Sequence, residues 1–261
     1  MSFREIISHS VTYMTAPGIQ ATHAFTTRHG GVSSGIYSTL NLAQKAGDEI
    51  ENVKENYALI CRAMGLDTRA IVCSNQVHGT HIRVATIEDT GKLFKPNPHE
   101  ADGLITDSPC VALMVFTADC VPILLHDPIR KVIGAVHAGW RGTASNIAGE
   151  AIRKMETVFE CKCSDIRAAI GPCISKCCYE TDSDVASALP DFSSKYGEKF
   201  MVDLKDANRR LLDKSGVKNI EVSEECTSCK SDKYWSHRKT KGRRGSQAAI
   251  IVSTCSEPKG I

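Results

Sequence analysis

A cysteine at 120 and a histidine at 137 flank two short apolar runs, Ile123–Leu125 and Val132–Val136, which are joined by His126-Asp127-Pro128. The layout predicts a strand, a turn and a second strand with a thiol and an imidazole at their ends. A Cys and a His so placed are either a metal pair or a nucleophile and its base. A second imidazole, His78, stands in Asn75-Gln-Val-His78-Gly79 at the end of another predicted strand. His78 and His137 are followed by Gly79 and by Ala138-Gly139, so little side-chain bulk crowds either ring. Two imidazoles and one thiolate with a fourth position open is the arrangement by which catalytic zinc holds a water. The separations between the three match no short zinc signature, so a Cys120–His137 nucleophile pair stays open beside the metal reading.

Two other groups of residues have chemical potential. Cys226-Thr-Ser-Cys229 is a Cys-x-x-Cys pair that would hold a structural zinc if the fold brought Cys173, Cys177 or Cys178 close; ordinary reduced thiols are the competing reading. Gly139-Trp140-Arg141-Gly142 leads into a predicted helix with Thr143 as N-cap, and free N–H groups at a helix start suit a phosphate. Arg141 adds a planar donor fork, and the basic stretch from Ser236 to Gly245 offers further cations or a plain solvated loop.

The elements that must position these groups are legible as periodicity. Residues 22–27 read as a strand leading into the glycine-rich loop Arg28 to Gly35, and Val53, Tyr57, Ile60, Cys61 and Met64 mark a helix that stops at Gly65. Strands are expected at 71–73, 81–87, 103–107, 111–116, 121–125, 131–137, 166–170, 219–222 and 248–252, with helices to about Phe159, over 182–189 and over 203–214. This mixture is α/β or α+β with a large mixed sheet, and a chain of 261 residues that is 42% hydrophobic can bury a real core. The formal charge of +2, from 32 basic and 30 acidic residues, gives no general affinity for polyanions, so nucleic acid is not an expected partner. The first ten residues lack the apolar run of a signal peptide and no stretch approaches membrane-spanning length, so a cytoplasmic protein with no membrane partner is expected. The twelve cysteines are irregularly spaced and read as reduced thiols, with Cys61 and Cys110 as core fillers.

Six segments in order carry a resemblance: Phe25 to Ser33, Asn75-Gln-Val-His78-Gly79, Ala101-Asp-Gly-Leu-Ile-Thr-Asp107, Thr117-Ala-Asp-Cys120-Val-Pro122, His137-Ala-Gly-Trp-Arg-Gly142 and Gly171-Pro-Cys-Ile174. Together they resemble the multicopper polyphenol oxidase (laccase-like) family, also described as zinc-dependent purine nucleoside phosphorylases with adenosine deaminase activity and as peptidoglycan editing factors. The resemblance implies one domain over 1–261 with its core at about 23–252, and a layered α/β/β/α sandwich similar to cysteine-hydrolase toxin domains. It implies zinc on His78, Cys120 and His137. It also implies phosphorolysis of adenosine, inosine and S-methyl-5'-thioadenosine, with deamination of adenosine. Arg28, Arg141 and Arg238 are then the cations expected around phosphate, and Asp102, ahead of Asp119, the carboxylate expected to shuttle a proton. Copper is disfavoured on chemistry, because a multicopper centre draws on His-x-His pairs and none of the nine histidines forms one. Where the family carries Ser-aromatic-Arg-Arg this chain has Ser236-His237-Arg238-Lys239, which removes a second guanidinium and places a further titratable ring there. A hydrolase using Cys120 and His137 on amide bonds of cell-wall precursors is the alternative enzyme, and a metal-binding scaffold without activity is the third reading. Nothing in the sequence demands a partner chain, so a monomer is expected.

Overall fold

The structure is a computed structural model that describes residues 2–253, so the expected span of 1–261 runs past it at both ends. In chain order the strands are β1 (Arg4–Ser8), β2 (Val11–Thr15), β3 (Thr22–Thr26), β4 (Ile71–Val72), β5 (Ile82–Val84), β6 (Gly103–Thr106), β7 (Ala112–Thr117), β8 (Val121–Asp127), β9 (Val132–Ala138), β10 (Arg167–Ile170), β11 (Glu180–Thr181), β12 (Ser193–Tyr196), β13 (Lys199–Val202), β14 (Asn219–Val222) and β15 (Gln247–Val252). The helices are α1 (Ile50–Met64), α2 (Trp140–Ala144), α3 (Ile147–Phe159), α4 (Ser183–Ala188), α5 (Leu204–Lys214) and α6 (His237–Thr240).

Two six-stranded sheets form the middle of the molecule, ordered β1-β2-β3-β15-β7-β4 and β14-β10-β8-β9-β6-β5. Strand residues alternate between faces, so each sheet has one set of side chains for its partner sheet and another for the helices outside it. Phe25, Leu113, Val115 and Ile251 of the first sheet share one buried cluster with Leu104, Leu124, Ile133 and Ala169 of the second. On the far side of the first sheet, Ala24, Met114 and Ile250 join Val53, Tyr57 and Ile60 of α1. On the far side of the second, Ile123, Leu125 and Val136 join Ile147, Ile152 and Met155 of α3 and Ala207 and Leu212 of α5. The layers are therefore helix, sheet, sheet, helix, as expected, and burial of both faces explains why Val111–Phe116 and Val121–Leu125 read as continuous apolar runs. Among the described residues no helix is long and apolar enough to cross a membrane.

Some elements differ from the sequence reading. The hairpin β1–β2 extends the first sheet upstream of residue 23. It escapes periodicity because β1 is a largely exposed edge strand, and its turn uses His9 and Ser10 at positive φ, 47° and 68°, without glycine or asparagine. A three-stranded sheet, β11-β13-β12, occupies 180–202, where exposed polar residues hide the alternation. Thr143 is not an N-cap: α2 starts directly after β9 with Gly139 as its cap, and the buried Thr143 hydroxyl accepts from Asn208 Nδ2 at 2.9 Å. The longer helix α3 restarts behind Asn146, which sits at φ 59° and accepts from the Gly149 N–H. Cys61 is buried as expected, whereas Cys110 is half-buried and disulfide-bonded, not a reduced core filler.

Candidate active site

The pairing of β8 with β9 brings two of the three predicted ligands together. The strands are antiparallel with Pro122 opposite His137 and Val121 opposite Ala138, so Cys120, one residue before β8, comes up beside the His137 ring. The turn lies just past the predicted His126-Asp127-Pro128: the Asp127 carboxylate accepts from the Ile129 and Arg130 N–H groups, both at 2.9 Å. Asp119 does not continue the strand alternation, because its φ is 92°, a region that side-chain-bearing residues rarely enter. Its carboxylate accepts from the Thr227 hydroxyl and the Arg238 N–H, both at 2.7 Å, and these bonds hold the bend that presents Cys120.

His78 arrives from the other sheet's side, on the loop after β4. Gln76 prolongs the β4–β7 pairing with its side chain, donating to the Phe116 carbonyl at 2.9 Å and accepting the Phe116 N–H at 2.7 Å. Beyond it the chain curls around the Asp102 carboxylate, which accepts the N–H groups of Val77, His78 and Gly79 at 3.1, 3.0 and 2.7 Å. His78 sits at φ 60° within this curl, a conformation that persists only where surroundings over-determine it. The fourth Asp102 contact is to His137 Nδ1 at 2.8 Å. Asp102 is fully buried with every direction engaged, so it orients both histidines and is not positioned as the solvent- or substrate-facing proton shuttle the sequence suggests. Burial by itself would raise the Asp102 pKa, but the bond to His137 and the Gly79 and Val77 N–H groups hold it below the ordinary carboxylate value.

The donor atoms of His78, Cys120 and His137 all lie within 4.8 Å of one another, with Cys120 Sγ 4.0 Å from His78 Nε2 and the two rings edge to face. Donor edges of about 3.6 Å follow from tetrahedral angles at ordinary zinc–sulfur and zinc–nitrogen bond lengths. With Nδ1 of His137 tied to Asp102, its Nε2 is the nitrogen left to face a metal, the orienting partner that ligating histidines ordinarily have. The three residues thus fit a metal ion. Burial pushes the Cys120 thiol up, yet His137 and His78 outweigh it and bring the pKa down to about 6. Burial in turn would lower His137, but Cys120 and Asp102 raise it to about 9. Gly139 is required for space: a Cβ there would stand 2.9 Å from the His78 ring and 3.4 Å from the Cys120 sulfur.

The triad forms part of the wall of a cavity of about 720 Å³. Three buried polar atoms on this wall have no protein partner: Ser74 Oγ, Thr117 Oγ1 and Arg244 Nε. Orphaned buried donors and acceptors are costly, and in a cavity they mark where a ligand would bond. Arg244 is half-buried; burial lowers its pKa while Asp119 and Cys120 pull the other way, so its charge faces the thiol end of the cavity. Its Nη1 donates to the Gly245 carbonyl and Ser246 Oγ. Lys45, Lys95, His237 and Arg243 complete the basic part of the wall.

None of the three arginines expected around phosphate lines this cavity. Arg28 donates through Nε and Nη2 to the Ser38 carbonyl and through Nη1 to the Ser231 carbonyl, and stacks 4.0 Å over Trp235, so its fork ties loops together. Arg141 is exposed and stacks on Trp140 at the start of the five-residue helix α2. Arg238 gives its N–H to Asp119, donates from Nη1 to the Cys178 carbonyl and lies 5.4 Å over the Tyr179 ring. Arg141 and Arg238 border the triad through Tyr179, whose hydroxyl is pushed up to about 12 by burial and by Cys120, against the pull of both guanidiniums. Arg244 is the residue that sequence reasoning passed over; the only signal for it was its membership of the basic stretch ending at Gly245.

The chain is similar to known proteins over most of its length. Residues 22–254 match the family described as multi-copper polyphenol oxidoreductase laccase. The chain is 38% identical over 249 residues to a purine nucleoside phosphorylase, YlmD, of Geobacillus stearothermophilus, an alignment covering 90% of this chain and 91% of that protein. It is 37% identical over 243 residues to a purine nucleoside phosphorylase of Deinococcus radiodurans, covering 91% of each. The crystal structure of the Geobacillus protein superposes with a TM-score of 0.91 over 97% of this chain and 99% of that one, at 35% identity.

Proposed function

The chain belongs to the multi-copper polyphenol oxidoreductase laccase family, and we propose that within it this protein is a zinc-dependent purine nucleoside phosphorylase with adenosine deaminase activity. The observation that carries the reading is the convergence of His78, Cys120 and His137 on the wall of a cavity where three buried polar atoms, Ser74 Oγ, Thr117 Oγ1 and Arg244 Nε, lack protein partners. Two imidazoles and a thiolate with one position open fit zinc, and the chain has no His-x-His pair of the kind the multicopper centre of the family's name draws on. When bound, such an ion supplies a Lewis acid and lowers the pKa of a water toward about 7, which is the chemistry that deamination at the amino-bearing carbon of adenine needs.

The chain's own groups divide the remaining work. Asp102 fixes the His137 tautomer and the His78 loop, and so acts as a positioning residue. Arg244, with Arg243, Lys45 and Lys95 nearby, holds phosphate by charge. In phosphorolysis a phosphate oxygen bonds to the anomeric carbon as the glycosidic C–N bond breaks. The electron pair leaves with the purine, which takes up a proton, and ribose 1-phosphate remains. His237, the imidazole of the wall outside the triad, is assigned as the donor of that proton. The cavity volume lies within the range of small-molecule sites.

The test is incubation of zinc-loaded protein with adenosine, inosine and S-methyl-5'-thioadenosine, with and without phosphate, and chromatographic identification of products. Free base and sugar phosphate form only with phosphate, inosine forms from adenosine, and Cys120→Ala and His137→Ala abolish turnover; unchanged turnover in both variants overturns the reading. A second reading has a specific observation behind it: a thiol lowered to about 6 beside His137 is suited to nucleophilic attack on the amide bonds of cell-wall precursors. That enzyme would be stopped by alkylation and indifferent to chelators, whereas the zinc enzyme loses activity to chelators and regains it with zinc.

A further inference from the structure

Outside the cavity wall, four cysteines from two distant segments converge. Cys177 and Cys178 follow the short connection after β10, Cys226 and Cys229 follow β14, and all four sulfurs lie within 4.8 Å of one another. The separations are 3.8 Å between Cys177 and Cys178, 3.6 Å between Cys177 and Cys229, and 3.3 Å between Cys178 and Cys229. A tetrahedron with zinc–sulfur bonds of about 2.3 Å has edges of about 3.8 Å, whereas a disulfide needs its sulfurs at about 2.05 Å. The packing of apolar thiols in a core does not explain the cluster, because Cys177 and Cys229 are exposed.

We propose that Cys177, Cys178, Cys226 and Cys229 form a second, closed metal site that takes one zinc ion through four sulfurs and locks the 173–179 segment to the 226–235 segment. The backbone is already arranged for it. Cys173 and Cys226 form a parallel bridge, the Thr227 N–H donates to the Cys173 carbonyl at 3.1 Å, and the Ser175 N–H donates to Cys226 Sγ at 3.3 Å. An N–H aimed at a sulfur is what steadies a metal-bound thiolate. The excess negative charge of four thiolates meets cations close by. Lys205 donates to Ser175 Oγ and to the Glu225 carbonyl, both at 3.1 Å, and Arg238 donates to the Cys178 carbonyl at 3.1 Å. Four protein ligands leave no open position, so the site is structural. The second segment also supplies Thr227, whose hydroxyl donates to the Asp119 carboxylate next to Cys120, and leads directly into Arg238, whose N–H donates to the same carboxylate.

Metal analysis of the reduced, zinc-supplemented full chain tests this. Wild type is expected to hold two zinc ions per chain, Cys229→Ser and Cys178→Ser one each, and His78→Ala one, retained in the sulfur cluster. X-ray absorption of zinc in the His78→Ala protein should then give a shell of sulfur alone, and cobalt-substituted wild type should show the intense thiolate-to-metal bands of a four-sulfur site. A single zinc lost from His78→Ala and kept by Cys229→Ser overturns the proposal and leaves the triad's metal standing. Zinc kept in His78→Ala but bound partly by nitrogen, cobalt spectra of wild type lacking four-sulfur character, or a disulfide among these cysteines in the reduced protein also overturns it.

Discussion

The two sulfur-bearing clusters are linked through the Asp119–Thr227 hydrogen bond, yet they are built on opposite principles. The His78, Cys120 and His137 cluster mixes nitrogen with sulfur, rests on a buried carboxylate and faces a cavity. The Cys177, Cys178, Cys226 and Cys229 cluster is all sulfur, is steadied by a backbone N–H and lies partly at the surface. Three donors leave a position for chemistry, whereas four close it. On the proposed reading the same kind of ion would serve reaction in one place and cross-linking in the other, and what separates the roles is the number of side chains the backbone delivers.

The largest expected contrast comes from breaking each cluster once. His137→Ala should take turnover of nucleoside with phosphate to background, because it removes a metal donor and leaves Asp102 buried without its imidazole. Cys229→Ser should keep measurable turnover and lower the melting temperature instead, since its sulfur lies in the other cluster. Steady-state kinetics beside thermal unfolding decides it, and a dead Cys229→Ser enzyme with unchanged melting would erase the distinction. Next in size is Gly139→Ala. The backbone there, φ −72°, tolerates alanine, so the effect is purely one of space against the His78 ring at 2.9 Å. A displacement of that kind at a reacting centre costs up to about 100-fold in kcat, and the same substitution should leave the zinc of the sulfur cluster untouched.

Asp102→Asn should come third. The carboxylate accepts four N–H groups, and an amide offers one oxygen for them while turning its own NH2 toward the rest. Loss of such an orienting partner lowers metal affinity roughly 10–100-fold. Zinc titration against a competing chelator should show the weakening at the triad alone.

Part of this contrast is legible in the sequence. The hairpin that joins Cys120 to His137 was visible because β8 and β9 are buried on both faces and therefore apolar throughout. The donor set followed from its motifs. The carboxylate that orients these donors was not legible in the same way: Asp102 reads as a shuttle because a sequence shows a carboxylate but not that three backbone N–H groups surround it. Arg28 and Arg141 lie off the cavity wall for a related reason, since their guanidiniums go to the Ser38 and Ser231 carbonyls and to the Trp140 ring. The convergence of Cys177 and Cys178 with Cys226 and Cys229 depends on β10 lying parallel to β14, a pairing between distant segments that local periodicity does not encode.

The finest contrast lies in how the thiols of the metal-free protein titrate. Cys120 is half-buried, and although burial opposes ionisation, the charges and bonds of His137 and His78 bring it down to about 6. Cys229 is exposed, yet its hydrogen bond with Cys178 leads in raising it above the ordinary thiol value. An alkylating reagent attacks the thiolate, so each residue is inert below its own midpoint and reactive above it. Between pH 5 and pH 7 the thiolate fraction of Cys120 should climb about tenfold, as a midpoint near 6 dictates, while Cys229 stays largely protonated across the same window. Peptide mapping of iodoacetamide-treated, metal-stripped protein measures both in one sample, and zinc should protect both in another. An exposed Cys229 that labels at lower pH than Cys120 would show that the imidazoles do not set the reactivity of the triad.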